Sequence, residues 1–163
     1  MFSILIYLSL PFVFLFHAIE EIAKRQRWAK LKVDSIGCKY HYLRPMLVHL
    51  RDMSNRSFCI IVAEELLLIS LAAVSVIYGV NLAPLFALTW GFCIHLWVQI
   101  VLALAIKGYI PGLITSVILL PYAGVAVSAM IQQLSWQQNL LYAVSGTIIV
   151  YLNKKLMHMI FNK

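Results

Sequence analysis

The chain has 163 residues, of which 63% are hydrophobic and 12% charged, and its mean hydropathy is +0.89. Soluble domains are about 45–50% apolar and about 25% charged, so a water-soluble globular domain is excluded. A formal charge of +7 would suggest nucleic-acid binding in a soluble protein; in a membrane protein it sets orientation, and no nucleic-acid partner is expected.

A helix needs about 20 apolar residues to cross a bilayer, and the hydrophobic runs meet that length. The sequence predicts an all-α, polytopic membrane bundle forming one domain over 1–163, with about five transmembrane spans: 2–23, 58–80, 84–106, 110–131 and 138–157. The first span has no charged segment before it and no small-residue cleavage site, so it is read as retained. Near its end lie His17, Glu20 and Glu21, whose i, i+3, i+4 spacing places all three on one helix face.

Residues 24–57 are read as a basic cytoplasmic loop holding Lys24, Arg25, Arg27, Lys30, Lys32, Lys39, Arg44, Arg51 and Arg56. Pro45 stands at a first helical position ahead of Leu47 and Leu50, so a short helix there could lie on anionic inner-leaflet lipids. A solvated loop that only sets topology is the alternative.

The second span carries Glu64 and Glu65. An ionised side chain at a helix centre costs about 2.5–3.5 kcal/mol, so these acids need protons, a cation or a histidine. His95 lies within the third span. At about 1.5 Å per residue, His17 and Glu64 sit about 10 Å deep and His95 about 18 Å, so His95 joins them only if its helix tilts or starts further in. Lys107-Gly108 closes the third span, Pro111 opens the fourth, and Pro121 lies inside it, where it should kink the helix.

Lys154, Lys155 and Lys163 follow the last span, and the connections at Asn81 to Ala83 and Gln132 to Gln137 carry no charge. All thirteen basic residues therefore fall on one side, which predicts the N-terminus outside and the C-terminus cytoplasmic in an inner membrane. Trp136 and Tyr142 fit an outer aromatic belt. Cys59 and Cys93 lie in spans and Cys38 in the basic segment, so no disulfide framework is expected, and Cys38 with His41 lacks a second pair for zinc.

The run His17-Ala18-Ile19-Glu20-Glu21 at the end of a first hydrophobic segment resembles the signature of the HXXEE family of small bacterial membrane proteins. Glu64-Glu65, His95 and Tyr109-Ile110-Pro111-Gly112 resemble that family's later polar and turn features, over nearly the whole chain. The resemblance implies an architecture and a residue list, with Tyr109, Pro111 and Gly112 as supporting or turn positions, but no reaction.

Four glutamates and two histidines are the ligand inventory of a carboxylate metal site in a helical bundle. Oxygen and imidazole donors suit Zn, Mn or Fe, and the first reading is a metal-dependent enzyme acting on a lipid or other membrane-dissolved substrate. In it His17, Glu20, Glu21, Glu64 and His95 bind metal, with Glu65, or a spare Glu21, as catalytic base.

Three alternatives stand beside it. The acids and histidines could relay protons or cations, with an oligomer needed for alternating access. They could be a structural polar cluster. They could form a metal-independent glutamate protease, since Glu20-Glu21 with Arg25 and His158 with Asn162 fit E-E-x-x-x-R and H-x-x-x-N, which resemble the patterns of intramembrane glutamate proteases.

Overall fold

The computed structural model describes residues 2–161, and among them all regular structure is helical. The elements are α1 (Phe2–Lys39), a short 3-10 turn (His41–Leu43), α2 (Arg44–Asp52), α3 (Asn55–Ile77), α4 (Ala83–Ile106), α5 (Leu113–Ile131) and α6 (Trp136–Phe161). Among the described residues, α1, α3, α4 and α5 are long and apolar enough to cross a membrane. The expected fifth span falls within α6. The chain is a polytopic membrane helical bundle.

Helix α1 runs well beyond the end drawn for the first span, so the first half of the segment read as a loop is helical. The reason is a second apolar face: Ala29 and Val33, one turn apart, are buried against Leu47 of α2, with Trp28, Ile36, Leu43 and Val48 packed around them. Helix α2 is the short helix expected after Arg44, with Pro45 in its first turn. Arg25 reaches from α1 to the far end of α2, where its guanidinium donates to the carbonyls of Leu50 (2.8 Å), Met53 (3.1 Å) and Ser54 (3.2 Å) and to Asn55 Oδ1 (2.9 Å). A cation there satisfies carbonyls that the helix cannot bond internally. Ser54 then caps α3, its hydroxyl accepting from the Ser57 amide.

The main core lies between α1, α3, α4 and α5 and is built from Tyr7, Leu10, Ala18, Ala73, Phe86, Leu96, Ala123 and Met130 among others. Helix α4 packs against both α5 and α6. At Gly146 of α6 a Cβ would stand 2.6 Å from the Ala87 carbonyl oxygen, so glycine is what allows α6 to approach so closely.

The α4–α5 connection differs in detail from the expectation. The left-handed residue that ends α4 is Lys107 (φ 51°), not Gly108, whose amide instead donates back to the Ala103 carbonyl at 3.0 Å. Pro111 lies in a turn before α5, because Gly112 (φ 85°) takes the N-cap position and the helix begins at Leu113. Helix α5 continues through Pro121.

Candidate metal centre

On α1, residues 20 and 21 flank the direction of His17, about 60° to one side and about 40° to the other. The three residues share a face yet reach different neighbours. Glu20 turns to α5, where its carboxylate accepts from the Tyr109 hydroxyl (2.6 Å), the Thr115 amide (2.8 Å) and the Thr115 hydroxyl (2.7 Å), with Lys24 Nζ at 3.5 Å. Thr115 is the third residue of α5, and Gly112 at its N-cap has no side chain to offer. Glu20 therefore caps α5 from another helix, adding negative charge where the helix dipole favours it. Partial burial and the Glu20 carboxylate push the Tyr109 phenol above its ordinary range, which keeps it a donor. Trp28 fixes the same turn by donating to the Tyr109 carbonyl at 2.7 Å.

Glu21 turns to α4. Its Oε1 lies 3.5 Å from His95 Nε2 and its Oε2 3.8 Å from His17 Nε2, while the two imidazole rings meet edge to face with centroids 5.3 Å apart. His17, Glu21 and His95 offer ligand atoms within 4.8 Å of one another and could hold a metal ion. Bonds of about 2.0–2.2 Å place opposed ligands about 4.2 Å apart, so small side-chain shifts would close the trio on an ion.

The surrounding hydrogen bonds set the protons. The single Thr115 hydroxyl proton goes to the Glu20 carboxylate, so at 2.8 Å the hydroxyl accepts from His17 Nδ1, and the neutral form of a ring held this way carries its lone pair on Nε2. Gln99, one turn after His95, uses its amide nitrogen toward Glu21 Oε1 and toward His95 Nε2 (3.1 Å), while its amide oxygen accepts from Ser116 (2.6 Å). That orientation makes His95 Nε2 an acceptor as well. Two imidazole lone pairs and a carboxylate thus converge, an arrangement that a cation stabilises.

The remaining expected residues lie outside this trio. Glu64 accepts from Asn153 of α6 at 2.8 Å. Glu65 lines a cavity of about 410 Å³ that Glu21, His95 and Gln99 also line. Pro111 lines the same cavity, and Gly112 presses on the centre: a Cβ there would meet Gln99 Oε1 at 2.5 Å and Glu21 Cγ at 2.9 Å. Arg25 is engaged with the α2–α3 junction, and Asn162 and the His158 side chain lie outside the described residues. Sequence reasoning missed Thr115, Gln99 and Ser116. The available signal was spacing, since Gln99 follows His95 by four positions, and Thr115 and Ser116 follow Gly112 by three and four.

Two outcomes follow from this geometry. Thr115→Val removes the acceptor of His17 Nδ1, and metal affinity should fall about 10–100-fold while Thr115→Ser retains it, as read by titration against a competing chelator. Gly112→Ala forces a side chain into left-handed backbone, at about 1–2 kcal/mol before any clash, so thermal unfolding in detergent should shift down.

Fold and site together define a membrane protein with a His/Glu centre among its helices. Residues 8–126 match the family model described as "Protein of unknown function with HXXEE motif", and the chain belongs to this HXXEE family. No curated protein and no solved structure matches the chain.

Proposed function

We propose that this protein is a metal-dependent membrane enzyme that holds a Zn, Mn or Fe ion on His17, Glu21 and His95 and acts on a membrane-dissolved substrate. The observation that carries this reading is the convergence of three electron-pair donors, two of which, Glu21 and His95, line a largely apolar cavity while His17 lies buried behind them. Three protein ligands leave a coordination position open for water or substrate, which is the arrangement of catalytic rather than structural sites. Glu65, on the same cavity, is the general base. Glu20 acts through Thr115, orienting His17. The basic excess of the α1–α2 arm supports a cytoplasmic position for it in an inner membrane crossed five times, with anionic lipids as its neighbours.

Elemental analysis of protein purified in mild detergent without chelators tests the proposal. About one Zn, Mn or Fe per chain is expected. A molar ratio near zero, also after incubation with each metal, would overturn it.

A further inference from the structure

The nature of the substrate can be taken further, on the basis of the metal-centre reading. The cavity is walled mainly by apolar side chains of α1, α3 and α4. It opens between α3, α4 and α6, where the lining residues Leu68, Val98 and Ile149 are exposed. Leu68 and Val98 stand well inside two helices long and apolar enough to cross a membrane, so the medium at that mouth is hydrocarbon.

At its polar end the cavity meets His95, Glu21 and Gln99, and on the same wall Arg25. Arg25 is 4% exposed and directs its four terminal N–H bonds to three main-chain carbonyls and the Asn55 amide oxygen, all neutral acceptors. Its Nε is buried with no hydrogen-bond partner. The full guanidinium charge is therefore felt in the cavity. With a divalent ion on the trio, the positive charges outweigh those of Glu21 and Glu65, and a low-dielectric cavity amplifies that preference.

We infer that the cavity takes an amphiphile with a hydrocarbon chain and an oxyanion head, carboxylate or phosphate. The chain enters sideways between α3 and α4, and the head rests between Arg25 and the His17, Glu21, His95 trio.

Photolabelling of the full chain in detergent, loaded with zinc, tests this. The probes are a diazirine-bearing long-chain fatty acid, a diazirine-bearing lysophosphatidic acid and a neutral diazirine-bearing monoacylglycerol, with labelled positions mapped by mass spectrometry. Labelling of cavity residues such as Ile69 and Phe92 is expected from an anionic probe, with competition by its unlabelled parent. Preference between the two anions assigns the head as carboxylate or phosphate. Val98→Trp should reduce cavity labelling about tenfold, and Leu68→Trp obstructs the same mouth from α3 should the first variant fail to fold.

Equal labelling by the neutral probe would overturn the oxyanion head, and labelling confined to the outer helix faces would overturn the cavity as the binding place. Zinc content measured on the same samples separates the two proposals. Absent cavity labelling at about one zinc per chain refutes the amphiphile alone, and cavity labelling of protein that takes up none of zinc, manganese and iron refutes the metal centre.

Discussion

Glu20→Ala should unfold the protein at a markedly lower temperature than the wild type, with a loss of about 3–5 kcal/mol. Two buried or partly buried donors, the Thr115 amide and the Tyr109 hydroxyl, lose their acceptor, and each unsatisfied group costs about 1–3 kcal/mol. The N-terminus of α5 also loses the carboxylate bound to its Thr115 amide and hydroxyl, a cap of the kind whose removal costs about 0.5–2 kcal/mol. Glu20→Gln keeps one acceptor oxygen and should recover part of the loss. Thermal unfolding followed by circular dichroism in detergent checks both variants. A Glu20→Ala melting point equal to that of the wild type would show that the cap contributes nothing.

Glu21→Ala, one position along, should do the opposite. It leaves the α5 cap in place, and the Gln99 amide that loses Glu21 keeps His95 Nε2 at 3.1 Å, so the melting temperature of the metal-free protein should fall far less than in Glu20→Ala. It removes the only carboxylate of the trio. Metal affinity should fall by more than the factor of about 10–100 that follows loss of a supporting hydrogen bond. Competition against a chromogenic chelator reads this directly. Adjacent glutamates with separable phenotypes, one in stability and one in metal binding, are the signature of this geometry.

Much of the architecture was legible because lipid imposes a coarse rule. Long apolar runs become helices, and acids inside them need partners. His17, Glu21 and His95 stood out for that reason. Their assembly could not be counted from span ends, since α1 continues through Lys39 and the depth scale drawn from residue 23 had no physical edge there. Glu64 was grouped with the site by its depth and by the cost of burying its charge, whereas its azimuth on α3 turns it to Asn153. Thr115, Gln99 and Ser116 carry no charge, cost little to bury and so leave no mark in composition. Only a structure reveals that they fix the protons of the two histidines. The continuation of α1 was hidden by its charges, because the apolar face formed by Ala29 and Val33 is narrow and its partner Leu47 lies on another helix.

The length of α1 has a mechanical consequence. Its 38 residues make a shaft about 57 Å long, nearly twice the roughly 30 Å hydrocarbon thickness. With no break between Glu21 and Lys39, the shaft has no joint at the bilayer surface. Twisting the protruding end about its axis would therefore turn His17 and Glu21 in step against His95, so a torque applied tens of ångströms away would be delivered at the ligands.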